Sequence, residues 1–69
     1  MTTGEKIHAA RKRSGMTQGE LSERIRANGG RMDCNRLSLY EHGKHAPSMA
    51  VLQSIAAALG VKIGKLIGD

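Results

Sequence analysis

Aromatic residues are almost absent from this 69-residue chain, which has one tyrosine and neither tryptophan nor phenylalanine. Its core must therefore be built from aliphatic side chains. A chain this short buries only about 60% of the surface that its unfolded form exposes, so we expect one domain over residues 1–69 with a thin margin of stability. A deep, water-excluding catalytic cleft is hard to build from such a core, and we expect no enzyme.

Cysteine and long apolar runs are also scarce. The single cysteine, Cys34, cannot form an intramolecular disulfide, which excludes a disulfide scaffold. No apolar run approaches the roughly 20 residues that cross a bilayer, and the first residues lack the apolar segment of a signal peptide. We therefore expect no membrane-spanning segment and a location in a reducing cytoplasm.

Positive charge, by contrast, is plentiful. Eleven Lys and Arg residues against six Asp and Glu give a formal net charge of +5 and a pI near 10.0. In a small domain this balance favours a polyanionic partner, either nucleic acid or an anionic membrane surface. A solvated basic surface that only keeps the protein soluble is the alternative.

Helix signals dominate the sequence, and no alternating strand pattern occurs. Four residues are candidate N-caps: Thr2, Thr17, Asp33 and Ser48. The two threonines each have a glutamate three residues later, which completes a capping box. Glycines at 15, 43 and 60 follow the first, third and fourth helices as stop signals, and a short fifth helix is predicted over residues 62–67.

Apolar residues recur at helical spacing after these caps. Leu21 and Ile25 face inward from the second helix, and Leu37 and Tyr40 from the third. The predicted buried stripe of the fourth helix comprises Met49, Leu52, Ile55, Ala56 and Leu59. The sequence therefore predicts an all-α, compact bundle of five short helices.

The order of these signals resembles the phage-repressor/Cro-like (XRE-type) helix-turn-helix family over about residues 5–67. The matching residues are Arg11, Gly15, Met16, Thr17, Gln18, Leu21, Ser22, Leu37, Tyr40, Glu41, Gly43, Pro47, Ser48 and the Ala-Leu-Gly-Val run at 58–61. Each match is weak alone, but this many in order are specific. The resemblance implies a lambda-repressor-like DNA-binding domain with its helix-turn-helix at about residues 17–42, whose second helix lies in the major groove of double-stranded DNA.

The resemblance and the chemistry of the individual side chains together predict a set of DNA-binding residues: Thr17, Gln18, Arg31, Cys34, Asn35, Arg36, Ser38, Leu39, Lys44 and His45. Gln18 would contact a phosphate at the start of the second helix, where free N–H groups and the helix dipole favour anions; the alternative is a helix-favouring surface side chain. Lys44 and His45 would contact phosphate from the following loop, or belong to a solvated loop.

The third helix carries the expected base contacts. Asn35 suits adenine, because its amide matches the acceptor and donor at N7 and N6. Arg36 suits either guanine or a phosphate. Leu39 suits a thymine methyl group, or packs within the protein.

Cys34 has three interpretations. It is a redox-sensitive thiol if exposed and acidic, a zinc ligand with His42 and His45 if a fourth ligand exists, or a small apolar residue against a base methyl group. The family has no metal, and we expect neither a metal nor another cofactor.

Two further groups complete the expected roles. Arg11 and Glu41 have the spacing of a family ion pair that joins the first helix to the end of the third, so we interpret them as structural. The expected dimer surface is the apolar C-terminal region, comprising Val61, Ile63, Leu66 and Ile67. These residues alternatively only cover the core of the monomer.

The stretch between the second and third helices departs from the family. Eleven residues separate Ile25 from Leu37, more than the usual pattern has, and they contain almost nothing apolar. We expect the second helix to continue through Arg26 and Ala27, to end at Gly29 or Gly30, and to be followed by a loop that carries Arg31 toward DNA.

The function that the resemblance implies is a sequence-specific transcriptional regulator, most simply a repressor that binds an inverted repeat as a homodimer. It also implies a location in the cytoplasm of a bacterial cell, near its nucleoid, or of the host of a phage, and no membrane partner. Because the sequence shows no effector domain, repression would work by occupying a promoter. An antitoxin-like or accessory module whose partner is another protein is the alternative. An architectural or RNA-binding role driven by charge alone is a second alternative. RNA-binding proteins usually offer stacking aromatic side chains, and the one tyrosine of this chain is assigned to the core, which argues against it.

Overall fold

Five α-helices make up the fold in a computed structural model that describes residues 1–67. Their bounds are α1 Thr3–Arg13, α2 Gln18–Ala27, α3 Cys34–Glu41, α4 Met49–Leu59 and α5 Gly64–Ile67. No strand occurs among residues 1–67, so the all-α prediction is confirmed. Within the same residues no helix has the length and apolar character needed to cross a membrane.

The four predicted N-caps are confirmed. Each capping side chain accepts a hydrogen bond from the backbone N–H three residues later, at 2.8–3.2 Å. Both capping boxes are closed, because the glutamates at positions 5 and 20 accept from the threonine N–H groups at 2.8 Å. The helices that position the site therefore begin where local side-chain chemistry satisfies their first N–H groups.

The core lies between α1, α2, α3 and α4, with α5 closing it beside α1. Its fully buried hydrophobic side chains are Ile7, Leu21, Ile25, Leu37, Ile55 and Leu66. Met49 was predicted to join them but is 54% exposed. It is the first residue of α4, at the outer end of the buried stripe.

The C-terminal helix differs from its prediction in length and in role. It begins at Gly64, and residues 62 and 63 form the turn before it. The carbonyl of Lys62 accepts a hydrogen bond from the N–H of Lys65, and that of Ile63 accepts from the N–H of Leu66. A four-residue helix has one inward position, and Leu66 takes it with no exposed surface. Leu66 therefore belongs to the monomer core, and its expected role in a dimer surface is wrong.

The lengthened connection between α2 and α3 follows the predicted course but is better packed than expected. Helix α2 continues through Arg26 to Ala27, and Gly29 ends it with a φ of 93°, a conformation that favours glycine. Met32, which was not among the expected core residues, is only 5% exposed and packs into the hydrophobic core. The connection is therefore attached to the core in its middle.

A buried carboxylate, Glu41, joins α3 to two other helices. Its Oε2 accepts from Arg11 Nε at 2.7 Å, and its Oε1 lies 3.0 Å from Arg11 Nη2, 2.8 Å from His8 Nδ1 and 3.2 Å from Gln18 Nε2. Arg11 also donates to the carbonyl of Met16 at 2.9 Å, ahead of α2. The Glu41 side chain is 1% exposed and that of Arg11 8%, so this is a buried ion pair with all its polar atoms partnered.

The pKa of Glu41 reflects two opposing effects. Burial alone raises the pKa of the carboxyl, but hydrogen bonds from Arg11, His8 and Gln18 outweigh it and hold the pKa below its usual value. The ionised form is therefore the one that the folded protein stabilises.

Gly4 allows α1 to approach this end of α3. A Cβ atom at position 4 would overlap the carbonyl oxygen of Tyr40 and lie 2.8 Å from that of Glu41. We expect Gly4→Ala to lower the free energy of unfolding by about 2–3 kcal/mol through this overlap, measured by urea denaturation. Gly64→Ala is the matched control, because nothing lies within 4 Å of its added methyl group; an equal loss in both variants would contradict the close-approach explanation.

Glu41 and its partners Arg11, His8 and Gln18, here called the Glu41 cluster, also predict a pH dependence of stability. Because the folded-state pKa is lowered, the stabilisation is complete above the unfolded pKa of about 4.3 and is lost as the pH falls through the folded value. We expect the free energy of unfolding to fall steeply below about pH 5. Glu5 also has a lowered pKa, through the backbone and hydroxyl of Thr2, so Glu5→Gln provides the control: it should retain most of the acid sensitivity.

Removing the charge gives the complementary result. Glu41→Gln should cost about 3–5 kcal/mol at neutral pH, because it leaves Arg11 buried without a counter-charge. The exposed change Glu23→Gln should cost little. Equal stability of these two variants in urea denaturation would show that the Glu41 cluster does not support the fold.

Candidate nucleic-acid interface

Helix α3 has one face locked into the protein and the opposite face free. Leu37, Tyr40 and Glu41 are buried. With 100° of rotation per residue, Asn35 and Leu39 point away from that buried face and lie one turn apart. Both are exposed, Leu39 by 38%. The two side chains form the outermost ridge of α3, and the expected internal packing of Leu39 is only partial.

One flank of this ridge adjoins the start of α2. Cys34 and Ser38 lie on this side of α3 by rotation, and Cys34 shares an open cleft of about 610 Å³ with Thr17, Gln18 and Gly19. The first turns of α2 and α3 are therefore neighbours. This arrangement places the free N–H groups of the α2 N-terminus beside the exposed ridge.

The side chain of Gln18 is hydrogen-bonded directly to α3. It is half-buried, and its Nε2 donates to Glu41 Oε1 at 3.2 Å, so it is more than a surface side chain. Thr17 Oγ1 accepts from the Glu20 N–H at 3.1 Å and keeps its own hydroxyl proton to donate. Both residues present donors at the positive end of the α2 dipole, which suits an anion.

The other flank of α3 faces α4 across a cleft. Arg36 lies on this side, turned 100° from Leu37. It lines a cleft together with Arg31, Met32 and three residues of α4. Both arginines are exposed. The lengthened connection therefore brings Arg31 to the same cleft as Arg36, and its contact with DNA stays a prediction.

Lys44 and His45 lie at the C-terminal end of α3. The Lys44 N–H donates to the carbonyl of Leu39 at 2.9 Å and that of His45 to the same oxygen at 3.4 Å, so the loop folds back over the last turn. Both side chains are exposed. The backbone of the loop is thus fixed at the end of α3, and His45 also lines a cleft with the start of α1 and Leu52.

Cys34 is exposed and free. His42, one of its two suggested metal-binding partners, has Nδ1 2.8 Å from the carbonyl of Ser38. Within residues 1–67, no group of three His, Cys, Asp or Glu side chains comes together to hold a metal ion. The zinc interpretation therefore has no ligand set.

Two residues near this surface escaped the sequence-based interpretation. Lys12 lines the cleft with Thr17 and Gln18, and His8 contacts the buried carboxylate of Glu41. The turn at Gly15 returns the chain from α1 to α2, so a basic residue in the last turn of α1 could have been expected beside the α2 N-terminus. The His8 contact has no such local signal.

Of the expected dimer residues, only Ile67 is largely exposed, at 42%. Val61 and Ile63 are partly buried against the core. The expected surface is thus reduced to Ile67 and the accessible edges of two other side chains.

Comparisons with known proteins agree with this geometry. A family model described as helix-turn-helix matches residues 7–66. The immunity repressor protein of Bacillus phage phi105 is 35% identical over 69 residues, which are all of this chain and 44% of that relative; the chain therefore spans less than half of the relative's length. No solved structure matches significantly. The chain belongs to the helix-turn-helix family, and its predicted phage-repressor/Cro-like (XRE-type) character is confirmed.

Proposed function

We propose that this chain is a sequence-specific DNA-binding transcriptional regulator that acts as a repressor. The observation that carries the proposal is the division of α3 into a locked face, held by Leu37, Tyr40 and Glu41, and an exposed ridge of Asn35 and Leu39. Basic and hydrogen-bonding groups flank that ridge on both sides. The similarity to a phage immunity repressor supports repression as the direction of control.

In this proposal α3 enters the major groove, which is about 12 Å wide and admits one helix. Asn35 reads adenine through two hydrogen bonds, and Leu39 contacts the methyl group of a neighbouring thymine. Cys34 and Ser38 lie against the same base edges. Thr17 and Gln18 contact a phosphate on one side of the groove, and Lys44 and His45 contact the backbone near the end of α3.

We propose that a homodimer binds an inverted repeat. The protein measures 28 × 23 × 23 Å, whereas half-sites on one face of DNA are roughly 34 Å apart. One copy therefore cannot read both. The proposed contact between the two copies is Ile67, with the edges of Val61 and Ile63, because Ile67 is the exposed large hydrophobic residue of α5.

Repression then follows from occupancy, since a dimer on a promoter blocks polymerase from the same DNA. The alternative, an antitoxin-like or accessory protein-interaction module, would need a large apolar surface near α5. Leu66 is buried there, which removes the centre of such a surface and favours the DNA-binding proposal.

Selection of bound duplexes from a random DNA pool tests this function. We expect an enriched palindrome with an adenine–thymine step in each half-site, contacted by Asn35 and Leu39. Enrichment of no sequence, with binding that vanishes at moderate salt, would rule the proposal out.

The selected duplex then separates base contacts from backbone contacts. Asn35→Ala should cost about 1–3 kcal/mol of binding free energy and relax the preference at one base position. Lys44→Ala should weaken binding to all sequences alike and lower its salt dependence. A uniform loss with Asn35→Ala would contradict its assignment as a base reader.

The dimer contact has its own test. Ile67→Lys places a charge in the proposed contact and should raise the concentration at which dimers form on the full operator, as measured by sedimentation and titration. Binding to a single half-site should change little. Met49→Lys is the matched control on α4, since Met49 is also an exposed large hydrophobic residue; an equal effect there would contradict the assigned surface.

A further inference from the structure

Residues 28–33, between α2 and α3, are the part of the chain that the family pattern leaves unexplained. We propose that they form an anchored arm that holds Arg31 beside Arg36, so that the two guanidinium groups bind one phosphate of the DNA backbone on the α4 side of α3. The inference rests on the proposed function, because it takes α3 to lie in the major groove.

The arm is fixed on both sides of Arg31. Before it, the Gly30 N–H donates to the carbonyl of Ile25 at 2.9 Å, and a Cβ atom at position 30 would lie 2.8 Å from Ile25 Cγ2. The backbone is therefore pressed against α2. After it, Met32 is buried in the core, and its carbonyl accepts from the Arg26 guanidinium. Arg31 thus projects from a backbone whose position is set by the fold.

Arg36 is fixed by α3 itself. Its N–H donates to Asp33 Oδ1 at 2.8 Å, which caps the helix. Arg31 and Arg36 line one cleft of about 270 Å³, and its other lining residues are Met32, Ala50, Val51 and Ser54. No carboxylate lines this cleft. The nearest one in sequence, that of Asp33, is occupied by the cap.

The chemistry of this cleft suits a phosphate. A guanidinium offers parallel N–H donors that match two oxygens of a phosphate, and it stays charged at every physiological pH. Two such groups beside each other repel when no anion lies between them. A phosphodiester bound between them removes that repulsion and satisfies both forks.

The position of the cleft identifies the phosphate as one of DNA. A helix in the major groove lies between two sugar-phosphate strands, so stable docking needs a backbone contact on each flank. The N-terminus of α2, with Thr17 and Gln18, faces one flank. The Arg31–Arg36 cleft lies on the other, toward α4. The arm therefore supplies a backbone contact next to the start of α3, in addition to the one proposed for Lys44 and His45 near its end.

Titration of the selected duplex at several salt concentrations tests the proposal. Each phosphate contact contributes about 0.9 to the slope of log affinity against log salt concentration. We expect Arg31→Ala to reduce the magnitude of that slope by about 1 and to weaken binding about tenfold at low salt, with no change in base preference. Arg13→Ala is the matched control, because Arg13 is exposed and lies away from α3. Its side chain is 180° around the axis of α1 from Gly4, which faces α3.

A second variant examines the anchor. Met32→Ala keeps both arginines but releases the arm from the core, so it should lose the same phosphate contact while thermal denaturation shows the domain still folded at the titration temperature. If Met32→Ala is unfolded at the titration temperature, the salt slope of Arg31→Ala alone decides whether Arg31 contacts a phosphate. Met32→Leu, which refills the pocket, should then bind DNA like the wild type.

The outcomes separate this proposal from the function on which it rests. An unchanged salt slope for Arg31→Ala, with selective binding intact, overturns the arm but leaves the regulator. Relaxed preference at one base would assign Arg31 to a base instead. Failure of the wild type to select any duplex overturns both. Saturation of the Arg31 and Arg36 NMR signals by inorganic phosphate at low concentration would identify a free-ion site and overturn the DNA assignment.

Discussion

The buried carboxylate of Glu41 is the interaction on which the DNA-facing part of this fold depends. Helix α3 has eight residues, too few to be stable alone, and Leu37 and Tyr40 are its only buried hydrophobic side chains. The third buried side chain of α3 is the charged carboxylate of Glu41. That charge accepts hydrogen bonds from α1 and from the first residue of α2, so the orientation of α3 is set by directional contacts more than by apolar area.

This arrangement links the exposed ridge of Asn35 and Leu39 to the N-terminus of α2. Gln18 has its amide on Glu41 and its backbone N–H at the N-terminus of α2, so in the proposed complex one residue would contact both the buried carboxylate and a phosphate. Asn35 and Leu39 are then fixed relative to that phosphate through a single intervening carboxylate. The distance between base readout and backbone contact is therefore a property of the folded protein, which lowers the ordering cost of binding.

Local signals explain what the sequence could predict. The caps at Thr17 and Asp33, and the stop at Gly29, are chemical requirements of two or three neighbouring residues, so they are visible without the fold. The proximity of Arg11 and Glu41 came from the family pattern. Met32 was missed because one apolar residue in a polar stretch has no period, and Leu66 was misassigned because a four-residue helix has none either.

The lengthened connection adds surface beside α3 without altering how α3 is packed. Each doubling of a flexible loop costs only about 0.6 kcal/mol of closure entropy, and burial of Met32 offsets a cost of that size. Because the Glu41 cluster and Leu37 fix α3 from its inner face, added residues before Asp33 do not rotate Asn35 or Leu39. The extra chain can therefore alter the flank of α3 while the exposed ridge that we propose as the base-reading surface stays where it is.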